Sequence, residues 1–130
     1  MIRIILLAVF FGNLISCQSD RERFAEDTTI EGEFVYNFGD AVQGEVVKAR
    51  FEIKNTGDVP LKLFEVKPSC GCTLADYEKS TVDPGKSAWV EAEVETKDFG
   101  GVISKKVTVM ANTKPTATVL TITGNVLVKN

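Results

Sequence analysis

The side chains best suited to chemistry in this 130-residue chain are three cysteines, Cys17, Cys70 and Cys72. Two of them stand together in Pro68-Ser69-Cys70-Gly71-Cys72-Thr73. On an extended backbone, residues two apart point to the same face, so both sulfurs could converge. Their Cα atoms would then sit near the upper end of the workable disulfide range of about 4.4–6.8 Å. Gly71 at positive φ would draw them closer. A bridge this short would be strained and easily reduced, as redox-active disulfides are, and an oxidising compartment would let it form. The same two thiols would also serve as small apolar fillers at the rim of a core, or as a static bridge. No neighbouring basic group stands ready to lower a thiol pKa. Two thiolates alone do not complete a tetrahedral zinc site, although a dimer would supply four and soft Cu(I) accepts two. No resident metal or cofactor is expected.

The rest of the chain narrows the chemistry further. It has no histidine, which excludes Ser-His-Asp and Cys-His nucleophilic sites within one chain. Carboxylates are many, but none pairs at a spacing that argues for acid–base work over solvated strand faces. The expectation is therefore a protein that is not an enzyme. The net charge is −3, lysines alternate with glutamates, and no basic patch stands ready to neutralise phosphates, so nucleic-acid binding is not expected.

Cys17 calls for a different explanation. Met1-Ile2-Arg3 forms a short positive start, Ile4 to Phe11 is an uninterrupted apolar run, and Gly12-Asn13 breaks it. A spanning helix needs about 20 apolar residues, so this run fits the apolar region of an export signal. Leu14-Ile15-Ser16-Cys17 resembles the bacterial lipobox, in which the cysteine is lipidated and the peptide is cut just before it. That resemblance implies a signal peptide over 1–16, a lipid on Cys17 and an exported protein held in the bacterial envelope by its lipid alone. More than one acyl chain gives stable attachment. An outer-membrane position is expected, facing the periplasm or the surface. Residues 17–32 are polar and charged after the cysteine and read as a flexible tether.

From residue 33 the pattern is β. Phe34, Tyr36 and Phe38 alternate, with Gly39-Asp40 closing the run. Val47, Ala49, Phe51 and Ile53 alternate with charged neighbours, the period of a half-buried strand. Leu61 to Val66 is apolar on both faces and predicts a more central strand after the Asn55–Asp58 turn. Asp83-Pro84-Gly85 suits a type II turn. Ala88, Val90, Ala92 and Val94 then face one way, with Trp89 and three glutamates on the other side. Phe99-Gly100-Gly101 turns into Val102–Met110, and the last strand buries Leu120, Ile122, Val126 and Val128. Tyr77 and Phe99 fall in loops. About seven short strands with no helical period predict an all-β, Ig-like antiparallel β-sandwich over 33–130, large enough to bury a core without disulfides. Trp89, on the glutamate side, is a candidate partner contact, or else a cross-strand residue capped by lysine stems.

Several of these segments resemble one bacterial family. Phe51-Glu52-Ile53-Lys54-Asn55-Thr56-Gly57-Asp58-Val59-Pro60-Leu61, Ser69-Cys70-Gly71-Cys72-Thr73, Pro84-Gly85 and Ile122-Thr123-Gly124-Asn125-Val126 are similar, in order and spacing, to the domain-of-unknown-function family 1573. The resemblance covers about residues 34–128. That family is similar in turn to the Ig-like modules of the major sperm protein and of the ASPM, SPD-2, Hydin group. The resemblance implies a sandwich used for contacts with a protein partner. It implies no activity, and leaves thiol-redox or metal handling at Cys70 and Cys72 as the alternative.

Overall fold

The computed structural model describes residues 26–130. The signal segment 1–16, Cys17 and the tether up to residue 25 lie outside that range. Eight strands follow in order: β1 (Ile30–Glu31), β2 (Val35–Val42), β3 (Val46–Asn55), β4 (Leu63–Pro68), β5 (Thr73–Tyr77), β6 (Ser87–Glu95), β7 (Gly101–Ala111) and β8 (Ala117–Leu127). They form two four-stranded sheets, β1-β3-β6-β5 and β2-β8-β7-β4. The result is an Ig-like β-sandwich.

Alternation builds the core. In β3 every second residue is buried, and Val47, Ala49, Phe51 and Ile53 lie opposite Val94, Ala92, Val90 and Ala88 of β6. The facing sheet supplies Ile103, Val107 and Val109 from β7, and Leu120, Ile122 and Val126 from β8. Burying one such aliphatic side chain contributes about 1.5–3 kcal/mol. The charged residues between them form the outer face, where Lys48 pairs with Glu93 and Arg50 with Glu91.

The structure corrects several expectations. Thr28–Glu31, assigned to the tether, belong to the domain: Thr28 bridges Thr113 and Ile30 pairs with Asn55. The sandwich is not wholly antiparallel, because β2 runs parallel to β8. This follows from the crossover after β1, where the chain leaves β3 and joins the edge of the other sheet. Gly32 permits that crossing, since a Cβ there would lie 2.5 Å from the Glu52 carbonyl oxygen. Gly39-Asp40 does not end β2; the strand shifts register there and continues to Val42. Leu61–Val66 is not central. Leu61 makes an isolated bridge to Val82, and β4 begins at Leu63 as the edge strand of its sheet. Tyr77 lies in β5 rather than a loop. Val128 lies past β8 and is 61% exposed.

Buried amides fasten the start of the domain. Asn55, fully buried, accepts from the Thr28 hydroxyl (2.7 Å) and the Gly57 N–H (3.1 Å). It donates to the carbonyls of Val59 (2.8 Å) and Val82 (3.0 Å). Asn112 donates to the Glu26 and Pro60 carbonyls and accepts from the Lys62 N–H. The chain thus enters at the pole formed by the β3–β4 and β7–β8 loops. At the other end lie the β2–β3 turn, the β6–β7 loop and the end of β8. The nine steps along β3 from Asn55 to Val46 put the two poles roughly 30 Å apart.

Candidate functional site

Cys70, Gly71 and Cys72 connect β4 to β5, and so carry the chain from one sheet to the other along the side where both are edge strands. Hydrogen bonds hold both ends of the turn. Ser69 N–H donates to the Lys106 carbonyl (2.9 Å) and Glu95 N–H to the Cys72 carbonyl (3.0 Å). Thr73 N–H donates to the Cys70 carbonyl (3.2 Å), which bends the backbone between the cysteines. The two sulfurs are joined in a disulfide with Cα atoms 5.2 Å apart. The extended geometry expected from the spacing is therefore replaced by a turn, and Gly71 is not among the glycines at positive φ. Closure comes from the turn and not from left-handed backbone at the glycine. Both cysteines are half-buried and Gly71 is exposed. Thr73, next in line, is buried. Among the described residues no group of three or more cysteine, aspartate or glutamate side chains could hold a metal ion.

Trp89 lies on the outer face of its sheet, opposite Glu52. It is half-buried, with the Arg50 guanidinium 5.4 Å from its ring centre. The cation beside its ring is thus an arginine. The Glu78 carboxyl beside it is held below the usual carboxylate range, first by the Ser80 N–H and further by the Ser80 and Trp89 side chains. Asp76 is lowered likewise, by the Tyr77 N–H and then by Lys79. Asp76 is exposed and Glu78 half-buried. They brace the β5–β6 connection and are not poised for proton transfer near neutral pH.

A third feature leaves no periodic trace in the sequence. Among the described residues, six of the nine exposed large apolar side chains lie toward the pole away from Glu26: Val42 ends β2, Val46 starts β3, Leu74 and Val102 are second in β5 and β7, Leu127 ends β8 and Val128 follows it, while Val35, Phe64 and Val119 lie elsewhere. Val42 and Leu127 are direct neighbours across the parallel pair. Strand alternation hides this grouping, because each residue is merely the outward member at the end of its own strand.

Residues 29–126 match the family model for DUF1573, described as a protein of unknown function. The chain belongs to the DUF1573 family. Its fold is shared with a crystal structure of a protein of unknown function from Porphyromonas gingivalis W83, at 21% identity and a TM-score of 0.68 over 78% of this chain. This chain covers 48% of that protein, about half its length. The ASH/PapD-like domain 7 of human CEP192 is similar at 12% identity and a TM-score of 0.61, over 80% of this chain and 89% of that one. A part of the VesB protease of Vibrio cholerae (31% of its chain) aligns with 75% of this chain at 16% identity and a TM-score of 0.59. At these identities the likeness is one of fold. No curated protein matches the chain.

Proposed function

We propose that this DUF1573 domain is a lipid-anchored, extracytoplasmic Ig-like module that binds another protein of the bacterial envelope, and that it performs no catalysis. The observation that carries the reading is the polarity of the sandwich. The chain enters at one pole through Glu26 and Thr28, and Val42, Val46, Val102, Leu127 and Val128 are exposed toward the other. With a lipid on Cys17, the second pole would be held roughly 30 Å beyond the tether, presenting apolar side chains of the kind that mark protein contacts. Ile4–Phe11 and the lipobox-like Leu14–Cys17 support export and anchoring. Cys17→Ser should move the protein from the membrane fraction to the soluble exported fraction. A pull-down from crosslinked envelopes should recover a specific protein with the anchored form. Recovery of none would count against the binding reading.

A second reading, thiol exchange at Cys70 and Cys72, is favoured by the half-buried disulfide beside the exposed Gly71. Replacing both cysteines with serine separates the two. If folding and phenotype survive, the chemical reading fails and the loop is a structural turn.

A further inference from the structure

Each sheet ends in two edge strands, and β1 is so short that it leaves most of β3 exposed as part of its edge. β1 pairs only with Lys54 and Asn55, so Val46–Ile53 has no strand beside it on that side among the described residues. The direction of its main-chain groups follows from the ladder. Asn55 donates to Lys86 and accepts from Gly85, toward β6. By alternation, Ile53, Phe51, Ala49 and Val47 also bond to β6, while Glu52, Arg50 and Lys48 direct their N–H and C=O groups outward. Thr56, in the same phase, donates to Thr29 on that outer side. Gly32 crosses close to the Glu52 carbonyl, which leaves Lys48 and Arg50 as the free rungs. Beside this edge runs a groove of about 480 Å³, lined by Glu31, Glu33, Tyr36, Arg50, Phe51 and Glu52. The Tyr36 and Phe51 rings meet edge to face, 6.3 Å apart, along its inner side.

Resting on the binding-module reading, we propose that the β3 edge takes up an extended segment of the partner protein as an added strand, with an acidic–apolar–acidic pattern. The free rungs supply main-chain hydrogen bonds, and pockets on alternate sides supply selectivity. On the outer face, the incoming residues opposite Lys48 and Arg50 meet two cations that are 77% and 54% exposed. Acidic side chains there extend the existing ladders to Glu93 and Glu91. The residue between them turns inward to the groove beside Tyr36 and Phe51. Toward Glu31, Glu33 and Glu52, which outnumber Lys54 in that part of the groove, the preference reverses to a basic residue. β6 already shows what β3 accepts on its other side, the run Glu91-Ala92-Glu93-Val94-Glu95. A second copy is a poor occupant. Antiparallel self-pairing centred on Arg50 sets Arg50 against Arg50 and runs Lys48 onto the Glu52 rung that Gly32 already covers, and a centre at Ala49 sets Lys48 against Arg50. Like charges directly opposed are unfavourable.

The test uses the full chain, isotope-labelled and held in mild detergent, with a heptapeptide alternating glutamate and valine as the probe. Its lysine–valine counterpart is the control. Binding of the glutamate peptide should shift the amide resonances of Lys48 and Arg50 and slow their hydrogen exchange. Lys48→Glu with Arg50→Glu should weaken it on the order of fivefold and favour the lysine peptide instead. Arg50→Pro, which removes an outward N–H without touching the β6 ladder, should reduce binding of both peptides. Equal binding of the two peptides by the unaltered chain, shifts confined to other strands, or no binding would each overturn the proposal. So would peptide-independent dimerisation through the same amides, which would assign the edge to a second copy. If the edge fails while envelope crosslinking still recovers a partner, the binding-module reading stands without this inference.

Discussion

Replacing Asn55 with alanine tests whether buried amides hold the start of the domain in place. The substitution removes four hydrogen bonds. The Val82 carbonyl keeps its bond from the Leu61 N–H (2.8 Å). The Thr28 hydroxyl, on a residue only 4% exposed, is left buried without its acceptor. An orphan of this kind costs about 1–3 kcal/mol, and each lost bond to the half-buried Gly57 and Val59 about 0.5–1.5 kcal/mol. The expected loss is about 3–4 kcal/mol, a fall in melting temperature of roughly 15–25 °C for a domain of this size. Urea unfolding followed by fluorescence of Trp89, the chain's one tryptophan, would read it directly. Asn55→Asp should be at least as damaging, because it places a carboxylate against the Val59 and Val82 carbonyl oxygens in place of a donor. Thr28→Val, which removes a single bond, should cost about 1 kcal/mol. An Asn55→Ala variant that loses less than about 1 kcal/mol would refute the argument that the Asn55 amide fastens Thr28 to the sandwich.

Other outcomes follow from the same geometry. Gly124→Ala would place a Cβ 2.4 Å from the Phe38 ring, so the ring must move off β8; a destabilisation of about 1–3 kcal/mol in the same urea assay is expected. Serine at both Cys70 and Cys72 opens a three-residue loop whose closure entropy amounts to only about 1.6 kcal/mol, so the double variant should stay folded with a modest shift in urea midpoint. The lowered carboxyls of Asp76 and Glu78 contribute stability that is full above the usual carboxylate pKa of about 4 and lost as pH falls through their lower folded values. Asp76→Asn with Glu78→Gln should therefore flatten the fall in stability between about pH 5 and pH 3, measured by urea titration at each pH.

What the sequence revealed depended on how many faces of each strand are buried. β3 and β6 each bury one face, so Val47–Ile53 and Ala88–Val94 were legible from alternation alone. β4 misled because Phe64, 48% exposed, occupies an outward position where apolarity suggests a central strand. β5 is five residues at a sheet edge, Thr-Leu-Ala-Asp-Tyr, too short and mixed to announce itself beside the cysteine turn. The parallel pairing of β2 with β8 depends on a crossover at Gly32 and leaves no periodic trace. Cys70 and Cys72 were visible as a pair, but the Thr73–Cys70 backbone bond that bends the chain between them was not. The contacts of Asn55 with Thr28 and of Asn112 with Glu26 join residues 27 and 86 apart, and no local pattern encodes them.

The most direct test of the binding account is site-specific photocrosslinking in intact envelopes, with the reactive side chain placed at Val42 or at Lys114. Val42 is exposed at the pole away from Glu26; Lys114 is exposed in the β7–β8 loop at the pole where the chain enters. A discrete protein adduct should form from Val42 and none of that mass from Lys114. The same adduct from both positions, or from Lys114 alone, would contradict the binding account.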